Sequence, residues 1–353
     1  MPPNLPDFDN SSILVVIVLL LHKLIHSRLA EAISKHRFFY VQLAHIAHRH
    51  LNNPQMNKQS TFKSGYVGIV GEPNVGKSTL LNVMMGKKIA IVTPRPQTTR
   101  NQITGIVTTD LYQIIFLDTP GVLQPKYRLH RYMVKAAYRA IKDTDSVLYI
   151  IDVSQPSRNL EEEILDELKK NAQKVILVIN KIDLLPKPAL LPVIAAYQER
   201  FPFVEIIPIS ATQGNGVSQL RESIIKHLPQ GPPYFPEDQL SDMPERFFVA
   251  ETTREKIFLK TKQEIPYASS VMVEEFKERP NGKIYISAII YVERQSQKGI
   301  LIGSGGKTIK AIGQLARAEI EQFLAAPVFL DLRVSVKEDW RRDERKLKEM
   351  GYS

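Results

Sequence analysis

Apolar and polar positions fall into two regimes along the chain. Between Tyr66 and about Leu228, short β-branched runs alternate with stretches spaced at the helical period, the pattern of a largely parallel sheet covered by helices on both faces. Strands are predicted at Tyr66–Val70, Ile103–Thr108, Gln113–Leu117, Val147–Asp152, Val175–Ile179 and Glu205–Ile209, and helices at Leu160–Asn171 and Val217–Leu228. From Leu228 to Phe247 the residues Pro229, Pro232, Pro233, Pro236 and Pro244 forbid a regular helix or central strand, which predicts a linker. Beyond it, Glu251–Gln263 reads as a helix, Ser270–Phe276 and Lys283–Val292 as strands, Gln297–Ile302 as a short helix, Thr308–Phe323 as a helix and Val328–Val336 as a strand. The expected fold class is therefore α/β with a mixed, mostly parallel sheet, followed by a smaller α+β domain of order α-β-β-α-α-β. Expected boundaries are 1–60 for an N-terminal extension, 61–229 for the first domain, 230–247 for the linker and 248–353 for the second domain with a C-terminal helix.

The first fifty-five residues follow neither regime. A nine-residue apolar run, Ile13–Leu21, leads into a stretch holding His22, His26, His36, His45, His48 and His50. The run is too short to span a bilayer at about 20 residues per helix, and no basic residue precedes it as a signal peptide would require. The histidines keep no ligand spacing, so they do not read as a metal site. Organised patterning begins at Phe62, and the simplest expectation is that Met56 is the biological start. Composition adds two constraints. There is no cysteine, which excludes disulfides and thiolate chemistry, and the net charge of +10 calls for a polyanionic partner, nucleic acid or an anionic membrane face.

Candidate chemistry begins where the first predicted strand ends. Gly71, Glu72, Pro73, Asn74, Val75, Gly76, Lys77 and Ser78, followed by Thr79, match the G-x-x-x-x-G-K-[ST] phosphate loop between a strand and a helix continuing through Leu80, Leu81 and Met84. Its backbone N–H groups can wrap phosphates at a helix N-terminus, Lys77 can place a charge between the β and γ phosphates, and the Ser78 hydroxyl suits Mg²⁺. Asp118, Thr119, Pro120 and Gly121, with Val122 next, close another strand at the same sheet edge. Asp118 is expected to hold Mg²⁺ through water, and Gly121 to let its N–H sense the γ-phosphate. At the end of a later strand, Asn180, Lys181, Ile182 and Asp183 suit a purine-reading loop. The Asp183 carboxylate can accept from guanine N1–H and N2–H, Asn180 can tie this loop to the phosphate loop, and the Lys181 stem can cover the base. Adenine would leave that carboxylate unpaired, a preference of roughly 10⁴-fold. Ser210-Ala211 can offer a backbone N–H to guanine O6. In the second domain Gly303, Ser304, Gly305 and Gly306 form a G-x-x-G turn between helices, flanked by Lys298, Lys307 and Lys310 for phosphates and by Ile300 and Ile302 as a floor for splayed bases. From Asn281 onward 13 lysines and arginines face 9 acidic residues, a surplus placed where RNA would lie. The run Trp340 to Lys346 mixes both signs and reads at least as readily as a solvated final helix as it does as an RNA contact.

These motifs, in this order, resemble a small P-loop GTPase domain of the translation-factor-related class. That resemblance puts Gln97, Thr98, Thr99, Arg100 and Asn101 at the first switch, with Thr99 the better candidate for Mg²⁺ and Thr98 the alternative. It also implies catalysis through Lys77, Thr99, Asp118 and Gly121. The class often carries a water-orienting glutamine after the Asp-x-x-Gly turn; here Val122 stands there, which implies slow intrinsic turnover. With Phe62 to Val67 before the loop, Pro232 to Gln239 in the linker and the G-x-x-G domain, the chain from Phe62 onward resembles the Era family. That implies GTP or GDP with Mg²⁺, GTP hydrolysis, a type II KH domain binding small-subunit (16S) ribosomal RNA, and a part in 30S assembly. It further implies a cytoplasmic, monomeric protein with peripheral attachment to the inner membrane. The alternative is a membrane-surface regulatory GTPase whose RNA binding is secondary.

Overall fold

In the computed structural model, residues 62–154, 160–171, 174–280 and 282–352 are described; the apolar run, the histidine stretch and the expected start at Met56 lie outside them. Six strands make the first sheet: β1 (Lys63–Gly71), β2 (Ile103–Thr108), β3 (Tyr112–Asp118), β4 (Ser146–Asp152), β5 (Lys174–Asn180) and β6 (Glu205–Pro208), in the order β2-β3-β1-β4-β5-β6. Only β2 runs antiparallel to its neighbour. β4 and β5 are apolar on both faces because helices cover both, which is why Val147–Ile151 and Val175–Ile179 read as unbroken apolar runs. One face packs α1 (Lys77–Met85) and α5 (Val217–His227); the other packs α2 (Arg128–Lys142), α3 (Glu161–Asn171) and α4 (Leu190–Arg200). The parallel strands direct their carboxyl ends to one edge, and there β1, β3 and β5 release the three nucleotide motifs.

After the linker come α6 (Glu245–Lys260), α7 (Ile265–Ala268), β7 (Ser270–Glu278), β8 (Ile284–Val292), α8 (Gln295–Ile302), α9 (Lys307–Leu324), β9 (Val328–Val336) and α10 (Glu344–Glu349). β7 pairs antiparallel and β9 parallel with β8, giving the expected α-β-β-α-α-β order with α7 and α10 added. The first of these helices starts at Glu245, inside the stretch expected to exclude helix. Pro244 sits at its N-cap, where a missing N–H costs nothing.

The proline-rich segment is sewn onto the first domain. Ser64 N–H donates to Pro229 O (3.1 Å) and Gly231 N–H to Phe62 O (3.1 Å). The fully buried Gln113 side chain accepts from Tyr234 N–H (2.7 Å) and Phe235 N–H (3.0 Å) and donates to Phe235 O (2.8 Å). Farther along, Ile106 N–H donates to Leu240 O (2.8 Å) and the Ser241 hydroxyl to Thr104 O (2.6 Å), so this strap runs beside β2.

Candidate functional site

At the carboxyl edge of the six-stranded sheet lies a cavity of about 860 Å³, lined by the phosphate loop, residues 91–94 and 97–99, Gly121, Asp152, Ser154, Asn180, Lys181, Asp183 and Ala211. The chain enters α1 through Gly76 in the left-handed region (φ 101°), and a Cβ there would meet Asn180 Nδ2 at 2.2 Å. No side chain caps the helix, so its first N–H groups are left for an anion. Lys77 Nζ curls into the loop and donates to Gly71 O (3.0 Å) and Glu72 O (2.6 Å). Burial lowers its pKa to about 8, against the pull of Asp118 and Glu72, so the amine wants a further negative partner.

Three oxygens converge beside it. Ser78 Oγ donates its one proton to Asp118 Oδ2 (2.6 Å), so across the 2.8 Å gap to Thr99 Oγ1 it accepts. Burial raises the Asp118 carboxyl to about 6, with Ser78 and Lys77 pulling the other way, and Asp118 Oδ1 is buried without a partner at hydrogen-bond geometry. A divalent cation would relieve both. Two hydroxyls and one carboxylate suit Mg²⁺, which keeps waters and phosphate oxygens as its remaining ligands. Thr98, the alternative to Thr99, bonds instead to Thr93 Oγ1 (2.6 Å) and Arg95 O (2.8 Å). Gly121 approaches the phosphate loop so closely that a Cβ would meet Pro73 N at 2.6 Å. Val122 is buried in the core, its N–H on Gly71 O (3.1 Å), and takes no part in the cavity.

The base-reading end is tied by Asn180. Its Nδ2 donates to Val75 O (2.7 Å) and its Oδ1 accepts from Ala211 N–H (3.0 Å), uniting three loops through one buried amide. The Ala211 N–H expected to face O6 is therefore already engaged, and a base would share it. Lys181, at φ 64°, is held by Asp152 at 2.5 Å, and Asp183 is exposed at the cavity wall. Asp183 becomes desolvated only under a base, not by the fold itself.

In the second domain the G-x-x-G turn sits between α8 and α9. A Cβ on Gly303 (φ 74°) would meet Thr308 Oγ1 at 2.2 Å. Gly305 and Gly306 also have positive φ and face open space, beside exposed Lys307 and Lys310 and half-buried Lys298. Leu301 anchors α8 in the core while Ile300 is half exposed and Ile302 partly buried, the apolar floor expected for bases.

Two family models match the chain: a 50S ribosome-binding GTPase over residues 66–181 and a KH domain over 264–341. GTPase Era of Geobacter metallireducens is 53% identical over 83% of this chain and 98% of its own length. The chain belongs to the Era family of GTPases. Era of Syntrophus aciditrophicus is 48% identical over 83% of this chain and 96% of itself. The crystal structure of a tyrosine variant of Aquifex aeolicus Era bound to GDP·AlF₄⁻ aligns with TM-score 0.80 at 41% identity, covering 83% of this chain and all of that one. Era in complex with MgGDPNP and nucleotides 1506–1542 of 16S ribosomal RNA aligns with TM-score 0.81 at 41% identity, covering 83% and 99%. As an Era-family GTPase the chain works on GTP and GDP with Mg²⁺, hydrolysing GTP to GDP and phosphate.

Asp152 and Arg254 escaped the motifs of this Era-family site, and the contacts of Gln97 and Arg100, expected at the first switch, were not foreseen. Asp152 ends β4 at the sheet edge that Asp118 shares, a position that could have singled it out. Gln97, at φ 62°, lines the cavity and meets His130 Nε2 at 3.0 Å. Arg100 and Arg254 are both buried, and their bonds between the domains join residues more than 150 positions apart, which no local pattern signals. The run from Trp340 is a solvated helix only from Glu344, where Glu344 and Arg345 are exposed. Trp340 is fully buried with Leu129, Met133, Leu347 and Tyr352, its Nε1 donating to Ala268 O (2.9 Å), and Arg341 pairs with Glu293.

Proposed function

We propose that this chain is a GTP-driven switch that binds small-subunit ribosomal RNA through its G-x-x-G turn and assists 30S assembly, with phosphate state deciding how firmly RNA is held. The observation that carries the reading is the convergence of Ser78, Thr99 and Asp118 oxygens at the mouth of a phosphate loop, in a chain whose KH turn stands open. Lys77 and the α1 N–H groups hold the β and γ phosphates, while Gly121 N–H reads the γ-phosphate. Ser78, Thr99 and Asp118 hold Mg²⁺, which when bound neutralises charge building on the phosphate oxygens. Asn180 and Asp183 select guanine. Val122 orients no water, so turnover by the chain alone is slow and is limited by water positioning.

Lys298, Lys307 and Lys310 meet RNA phosphates, and Ile300 and Ile302 receive unstacked bases. The family likeness to an Era solved with 16S RNA supports this partner. Binding of single-stranded RNA from the small-subunit 3′ end is measured with GTP, GDP and no nucleotide, for wild type and Gly305→Asp. Tighter binding with GTP, lost in the variant, is expected; indifference to both changes removes the RNA function. We place the protein in the cytoplasm, with peripheral membrane attachment tested by liposome flotation. Among the described residues no helix is long and apolar enough to cross a membrane.

A further inference from the structure

Thr99 is held at the Ser78–Asp118 site by bonds that do not come from the nucleotide. Its neighbour Thr98 gives its carbonyl to Arg254 Nη2 at 2.5 Å, and Arg254 belongs to α6 of the second domain. Its other neighbour, Arg100, reaches the opposite way. Arg100 Nη1 donates to Ser269 O (2.7 Å), Nη2 to Pro266 O and Tyr267 O (both 3.0 Å), and the guanidinium lies 5.7 Å from the Trp340 ring centroid. The residues on either side of Thr99 are thus bonded to the second domain, Thr98 by its carbonyl and Arg100 by its side chain, through two arginines that are 2% (Arg100) and 1% (Arg254) exposed.

Burying guanidinium groups is costly unless they are paired. Arg254 is paired with Glu251, through Nε to Oε1 at 2.8 Å and a second, shorter contact. Arg100 has the carbonyls at the C-terminal end of α7, which are orphaned acceptors at the negative end of a helix. Neither arginine lines the nucleotide cavity. Their effect on nucleotide passes through residues 97–99, of which Thr99 is the one that reaches the Ser78–Asp118 oxygens.

We propose that Arg254 and Arg100 are positioning residues with which the KH domain holds Thr99 in the conformation that meets Mg²⁺ when a γ-phosphate is present. The proposal rests on the reading of Thr99 as the switch threonine. A free loop at 97–100 would have to be ordered each time GTP binds, at the entropic cost of several fixed residues. The second domain removes that cost in advance. GDP, which makes no use of Thr99, gains nothing from it.

Affinities for Mg²⁺ with GDP and with a non-hydrolysable GTP analogue are measured on the full chain. Arg254→Lys keeps the charge against Glu251 and is the variant least prone to unfold. Arg254→Gln with Glu251→Gln removes the pair without leaving a bare carboxylate. Both are expected to weaken the GTP analogue about tenfold while GDP affinity stays within twofold, and to raise amide hydrogen exchange over residues 97–100 in nucleotide-free protein. Lys88→Gln is the control: Lys88 joins the domains through Glu255 and Glu319 and makes no bond to residues 97–100, and its loss is expected to leave the ratio unchanged. Equal weakening of both nucleotides, or an unchanged ratio, reduces the arginines to domain glue and overturns the proposal. So does a ratio shifted as much by Lys88→Gln. Thr99→Ala sets the full size of the effect; a ratio it leaves unmoved overturns both the proposal and the reading of Thr99 beneath it.

Discussion

Asp183 and Asn180 are three residues apart and differ in everything that matters for their work. Asn180 is buried and spends both ends of its amide on the protein, so it shapes the site. Asp183 stands exposed in a short 3-10 turn after β5, on the cavity wall where the proposed guanine would meet its carboxylate. Removing it costs two charge-assisted hydrogen bonds, each about 1.5–3 kcal/mol. Asp183→Ala is therefore expected to lose about 100-fold or more in GTP affinity, by titration with a fluorescent nucleotide, without lowering thermal stability. A residue with the opposite accounting is His130. Burial first, then the charges of Arg341, Arg100 and Lys126, lowers its pKa to about 4. Lys126 N–H points at Nδ1 (3.3 Å), so Nε2 carries the proton given to Gln97. The unfolded chain takes up a proton near pH 6.5 that the folded one refuses until about pH 4, so stability present above pH 6.5 is lost as pH falls through that window. His130→Gln keeps a donor for Gln97 and is expected to flatten the denaturation midpoint between pH 6.5 and 4.

Elements were legible wherever the period was strong and the ends were signalled. All six strands of the first sheet and all three of the second stand within about three residues of expectation, because β-branched runs bounded by glycine or charge leave few alternatives. Two helices of the first domain were not foreseen, nor was the four-residue Ile265–Ala268 of the second. The second helix, Arg128–Lys142, was missed although Leu129, Met133, Ala137 and Ile141 recur at helical spacing, because it starts after Tyr127 with no side-chain cap to signal its beginning. The fourth, Leu190–Arg200, carries Pro192 in its first turn, where proline is tolerated though it reads as a breaker. The phosphate loop, the acidic turn and the purine loop were readable because each is local. The arginines around Thr99 and the run from Trp340 were not, since only contacts across the chain give them meaning. Trp340 locks the C-terminal run against Leu129 and Met133 of the second helix. Trp340→Ala is expected to cost about 3–5 kcal/mol of unfolding free energy in a denaturant titration, as loss of a buried large aromatic does.

At the scale of the molecule, these contacts make the two domains answer to each other. Trp340 is the sole tryptophan, it sits where they meet, and the Arg100 guanidinium beside it is next in sequence to Thr99. Its fluorescence is expected to unfold in step with far-UV circular dichroism, since separate transitions would mean that the domains part before they melt. The strap from Pro229 to Ser241 has a different consequence. β2 is an outer strand, and its ladder positions at Thr104 and Ile106 are taken by Ser241 and Leu240; at the other margin, β6 is only four residues long. Neither margin of this apolar sheet presents a long row of open amides to another chain. The segment that carries the chain from one domain to the next thus also guards against edge-to-edge aggregation, a hazard that strongly β-forming sequences must meet somewhere.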